Sequence, residues 1–153
     1  MGKVWKKGRG KLGFLQPLLG RWTATAAGDV MGPVRCTRAF TAVLEGAYVR
    51  LEARWEFNGG TKIYEEEALI GAGDDGQVGF WSFTSDGKRS QGTLSDVTDL
   101  HPEAVGFEAH MPAGLARMAY WPDDGDGFFF AVESKTVKGW KRFLEHHYRK
   151  GGF

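Results

Sequence analysis

Four side chains could do chemistry, because the apolar alternation around them turns them toward the inside of a sheet: Arg38, Arg142, His146 and Glu66. Arg38 shares a strand face with Val34, Cys36, Phe40 and Ala42. Arg142 and His146 share one with Trp140, Leu144 and Tyr148, and Glu66 shares one with Tyr64, Ala68 and Ile70, although Ile63 and Leu69 on the opposite side leave both faces of that strand open as the inner one. A guanidinium fork grips a carboxylate through two parallel hydrogen bonds. An unpaired buried charge is costly, so each inward arginine requires an acid, from the protein or from a ligand. The chemistry that suits this set is recognition. Arg38, Arg142 and His146 would read a polar head group, Glu66 would orient the arginines, and Trp55, Trp81, Tyr120 and Trp140 would supply an apolar wall. An acid–base alternative would use His146 and Glu66 on a molecule held in the same place.

Covalent and metal chemistry find no pattern. The chain has no Gly-x-Ser-x-Gly elbow, and Ser82, Ser85 and Ser90 lie in or beside a strand–turn–strand without a nearby His. Cys36 would form a thiolate pair with His146 only if the fold joined them. Zinc-ligand spacings are absent, and the adjacent His146 and His147 point to opposite faces of a strand, so one metal cannot take both. The run Asp123 to Gly127 begins like a calcium loop, but Phe128 and Phe129 follow where oxygen ligands are needed. Gly71-Ala72-Gly73-Asp74 precedes a turn rather than a helix and makes no phosphate cradle. The expectation is no metal and no catalytic residue.

The elements that must position these residues are strands. Turn signals recur about every ten residues, among them Gly28-Asp29, Glu45-Gly46, Asn58-Gly59-Gly60, Ser85-Asp86-Gly87 and Lys138-Gly139. They predict strands at 21–27, 34–44, 48–57, 61–71, 77–84, 88–97, 103–111, 115–121, 127–134 and 139–149. Ten strands in simple succession predict up-and-down closure, which removes exposed sheet edges. The clearest alternation sets Val49, Leu51, Ala53, Trp55 and Phe57 inward. Ahead of the strands, Leu12, Phe14, Leu15, Leu18 and Leu19 recur at helical spacing and predict a short helical cap that plugs one end, with Gly20 ending it. Residues 1–11 read as a mobile basic tail and 12–150 as a single barrel domain.

Composition agrees with this plan and excludes others. The 153 residues are 42% hydrophobic and 14% aromatic, enough for one sizeable core. A net charge of +1 argues against nucleic acid as the main partner. Cys36 has no second cysteine to pair with, which suits a reducing cytoplasm. The apolar stretch Phe14 to Leu19 is too short for a signal segment or a bilayer span.

Three segments carry a likeness. Leu15-Gln16-Pro17-Leu18-Leu19-Gly20-Arg21-Trp22, Val43-Leu44-Glu45-Gly46-Ala47-Tyr48-Val49 and Phe80-Trp81-Ser82-Phe83-Thr84-Ser85-Asp86-Gly87 together resemble the uncharacterised lipocalin-like family known as DUF1579. The resemblance covers most of residues 15–149 and implies a calycin-like barrel with a Trp near its floor, here Trp22, covered by a basic side chain of the last strand, Arg149 or Lys150. More distantly, the Leu-Leu-Gly-x-Trp opening resembles that of nitrobindin-like barrels, which implies haem held by a C-terminal His, here His146 or His147. The continuation Thr23-Ala24-Thr25-Ala26-Ala27-Gly28 departs from the Gly-rich strand of that group, which ends in Tyr-Pro.

The sequence therefore predicts an all-β, ten-stranded antiparallel barrel that binds a small hydrophobic or amphipathic molecule, such as a carboxylate, in its cavity. The alternatives are a haem protein acting on reactive nitrogen or oxygen species and a filled barrel serving as a structural or interaction module.

Overall fold

A computed structural model describes residues 5–26 and 34–151. The chain forms ten antiparallel strands: β1 (Gly20–Ala26), β2 (Val34–Val43), β3 (Tyr48–Phe57), β4 (Lys62–Ala72), β5 (Val78–Thr84), β6 (Arg89–Ser95), β7 (Val105–Met111), β8 (Gly114–Pro122), β9 (Phe128–Thr136) and β10 (Gly139–Lys150). Each pairs with its neighbours in sequence, and β1 pairs with β10 to close the barrel. The predicted turn at Gly28-Asp29 and the predicted strand end at residue 27 lie outside the described residues.

The seam is the slightest of the joints. β1 and β2 pair at seven positions, whereas β1 and β10 pair at two, Trp22 with Lys150 and Thr23 with Arg149. Two further bonds extend it: the Gly151 amide donates to Arg21 O at 2.8 Å, and the Thr23 hydroxyl donates to Gly151 O at 2.5 Å.

The cap at the floor is a 3₁₀ segment, Gly13–Leu18, rather than an α-helix. Pro17 within it has no amide hydrogen to donate, and a six-residue segment is too short to nucleate an α-helix alone. Tertiary burial holds it: Leu15 and Leu18 are fully buried and join a core with Trp22, Phe40, Val49, Ile70, Phe80, Phe107, Phe128 and Tyr148. Of the stretch read as a basic tail, Trp5 packs against this core and Lys11 donates to Gly76 O at 2.6 Å. Among the described residues, no helix is long and apolar enough to cross a membrane.

Close packing on the inner wall depends on one glycine in particular. A Cβ on Gly92 would lie 2.4 Å from Glu108 O and 2.5 Å from the Phe80 ring. Its absence leaves room for Phe80 to fold across β6 and meet Phe107 edge-on, at 5.5 Å between centroids.

A second small core lies outside the barrel. The connection between β6 and β7 folds back so that Val97, Ala104 and Ala119 bury one another, with Leu100 and Trp121 against them.

Candidate functional site

The inward faces of β2 to β10 line a cavity of about 250 Å³. Its deeper wall is apolar, with Leu51, Ala68, Ile70, Phe80, Phe107 and Met118. Its polar wall includes Arg38, Glu66, Ser82, Thr84, Ser90 and Tyr120. Strand parity explains this: Arg38 opposes Ala53 across the β2–β3 ladder, Ala53 opposes Glu66 across β3–β4, and Glu66 opposes Thr84 across β4–β5, so these positions share a face.

Arg38 is 3% exposed. Its Nε donates to the Tyr120 hydroxyl at 3.2 Å, its Nη2 stands 4.0 Å from Glu66 Oε1, and its Nη1 has no hydrogen-bond partner. The guanidinium lies 4.0 Å from the Phe130 ring centroid and within 6 Å of Trp55, Tyr120 and Tyr148. Burial works against its charge, but Tyr120, Tyr148 and Glu66 outweigh that and keep the arginine protonated. Glu66 is oriented from the next strand, where the Ser82 hydroxyl donates to its Oε2 at 2.6 Å.

His146 also faces inward, 8% exposed, beside the cavity rather than in its wall. Burial, and secondarily the Arg38 charge, hold its pKa below the ordinary value, so the ring is neutral at pH 7. Its Nδ1 and the Tyr148 hydroxyl have no hydrogen-bond partner of proper geometry. No hydrogen bond joins His146 to Glu66, and of the two only Glu66 lies in the cavity wall. Burial pushes the Cys36 thiol up to about 11, and no thiolate is present at neutral pH.

Of the residues expected to line the cavity, Arg38, Trp55, Glu66 and Tyr120 do so, and His146 stands next to it. Trp81, Trp140 and Arg142 face the outside. Trp81 opposes the exposed Leu69 across the β4–β5 ladder, while its neighbours Phe80 and Ser82 take the interior. The last strand is divided by a β-bulge between Arg142 and Leu144, which inserts Phe143 and reverses the parity. Below the bulge Leu144, His146 and Tyr148 point inward; above it Trp140 and Arg142 point outward.

There Arg142 joins a network on the outer wall. Its Nε donates to Glu133 Oε2 at 2.9 Å and its Nη1 to Glu145 Oε1 at 2.5 Å. Arg117, 3% exposed, donates from Nε to Glu133 Oε1 and grips Asp99 with both terminal nitrogens, at 3.0 and 2.8 Å. Trp140 lies 4.4 Å over the Arg117 guanidinium. This network ties the β6–β7 connection to the barrel wall, and Arg142 reads no head group.

At the floor, Trp22 is buried and its Nε1 donates to Leu18 O at 2.8 Å. Lys150, not Arg149, covers it, with Nζ 5.5 Å from the ring centroid. Arg149 faces out beside His147, because alternate residues of β10 change face.

The residues present do not fit haem. His147 is turned outward, bonded through Nε2 to Asp123 Oδ2 at 2.7 Å and stacked on Phe129. His146 adjoins a cavity of about 250 Å³, below the roughly 300–1,000 Å³ that encloses a drug-sized ligand; a porphyrin is larger still. Among the described residues, no group of three or more His, Cys, Asp or Glu side chains could hold a metal ion.

Tyr64, Ser82, Met118 and Phe130 also line the site and were not expected there from the sequence. The signal for Tyr64 was its parity with Glu66, and for Ser82 its parity with Phe80. Compared with known proteins, the chain matches no protein-family model and shows no significant similarity to a curated protein.

Proposed function

We propose that this barrel binds a small hydrophobic or amphipathic molecule in its interior, non-covalently, and that it is a lipocalin-like barrel of the calycin type. The observation that carries the reading is a buried arginine, Arg38, whose Nη2 stands 4.0 Å from Glu66 without a hydrogen bond to it, on the wall of a largely apolar cavity. A barrel filled for stability alone gains nothing from that arrangement, since an unpaired buried donor costs free energy. A ligand oxygen set against Arg38 would remove the cost on binding. A purely structural barrel would instead carry a filled interior.

The direct test is native mass spectrometry of the purified protein, with its absorption spectrum recorded from the near ultraviolet to the red. An uncoloured adduct of small organic mass that is lost on denaturation is the expected result. A Soret band with a haem-sized adduct would overturn the reading.

A further inference from the structure

Resting on the binding reading above, we infer that the cavity takes a small neutral aromatic molecule carrying a hydroxyl, of the phenol class, in preference to a carboxylate. The two charged groups in the cavity wall are a donor and an acceptor held apart. Arg38 Nη2 and Glu66 Oε1 are separated by 4.0 Å, too far for a direct hydrogen bond. Arg38 spends only Nε, on Tyr120, which leaves Nη2 without a hydrogen bond, and Glu66 spends only Oε2, on Ser82. A hydroxyl group satisfies both sides at once, because its oxygen accepts from the guanidinium while its hydrogen donates to the carboxylate. A ligand carboxylate could accept from Arg38 but would bring a second negative charge against Glu66. A plain hydrocarbon would leave both groups unsatisfied.

The walls favour a ring. Trp55 and Tyr64 form a tilted pair at 5.4 Å, Phe80 and Phe107 an edge-to-face pair at 5.5 Å, and Phe130 backs the guanidinium. Aromatic faces and edges offer a planar guest stacking and T-shaped contacts that an acyl chain cannot use. The size agrees: an apolar cavity of roughly 150 Å³ holds benzene, so the space here, about 250 Å³, holds a substituted ring.

The test uses three probes that differ only in the head group: p-cresol, p-toluate and toluene. Each is titrated at neutral pH into protein labelled at its methionine methyl groups, and the signal read is Met118, in the cavity wall. The expected result is a Met118 shift with p-cresol binding roughly tenfold or more tighter than p-toluate. Glu66→Gln should narrow that gap by relieving the repulsion, and Arg38→Met should bring p-cresol down toward toluene. Tighter or equal binding of p-toluate in the unmodified protein overturns the phenol class, while its Met118 shift leaves the binding reading standing. A Met118 signal unmoved by all three probes overturns both.

Discussion

Replacing Arg38 with Met should cost the empty barrel almost nothing in stability. The side chain gives up a hydrogen bond to Tyr120 and leaves that hydroxyl stranded, about 1–3 kcal/mol. It also gives up the contact with Phe130 at 4.0 Å, about 2 kcal/mol for a desolvated cation–π pair. Against this, the folded state no longer buries a guanidinium, an effective penalty of several kcal/mol, and it loses an unpartnered donor, about 1–3 kcal/mol. Glu66 is not stranded by the change, since it keeps Ser82 and is 20% exposed. The opposing sums nearly cancel, so the variant should fall within about 2 kcal/mol of the parent. The assay is urea unfolding of ligand-free protein followed by tryptophan fluorescence, comparing midpoints at unchanged m. A loss above about 3 kcal/mol, the size expected for breaking a closed buried ion pair, would show that Arg38 is a keystone of the fold and refute the reasoning.

The outer wall should behave in the opposite way. Glu133→Ala removes the acid shared by Arg117 and Arg142 and should destabilise the protein by about 3 kcal/mol in the same urea assay; a change under about 1 kcal/mol would mean the network is solvated. For pH, the sign follows from the lowered pKa of His146: below its ordinary value of 6.5 the unfolded chain takes up a proton that the folded chain resists. Stability held above pH 6.5 should therefore decline as pH falls through that value, by up to about 1.4 kcal/mol per unit, and level off below the folded-state pKa. His146→Phe should flatten this part of the profile, and identical profiles in the two proteins would refute the assignment.

The barrel was legible because its signals are local. Turn residues such as Ser85-Asp86-Gly87 and Lys138-Gly139 mark where the chain reverses, and the strands fall within two residues of the predicted bounds. The faces of Arg38 and Glu66 were open from the sequence, since Ile63 and Leu69 on one side of β4 balance Ala68 and Ile70 on the other; the register across β2, β3 and β4 sets both residues inward. Trp81 could not be placed, because Phe80, Trp81 and Phe83 make both faces of β5 apolar, and only the register against β4 decides. Trp140 and Arg142 went astray for a different reason. One inserted residue, Phe143, reverses every side chain beyond it, and a bulge has no signature when its extra residue is another plausible strand former. The cap shows the same limit: helical spacing was present, but Pro17 and the short length turned it into a 3₁₀ segment.

The seam between the first and last strands bears on the order in which the fold is assembled. Every other ladder joins strands that follow one another along the chain, so each can zip as a hairpin with little loop to close. The bond from Thr23 to Gly151 spans 128 residues, and the whole meander has to curl before it can form. Folding of this barrel is thus nine local steps and one long-range event, and the long-range event has two paired positions and a pair of flanking hydrogen bonds to hold it. The cylinder is fastened at the place where its chain entropy is hardest to overcome, with the buried Trp22 and its lysine cover lying directly over the clasp.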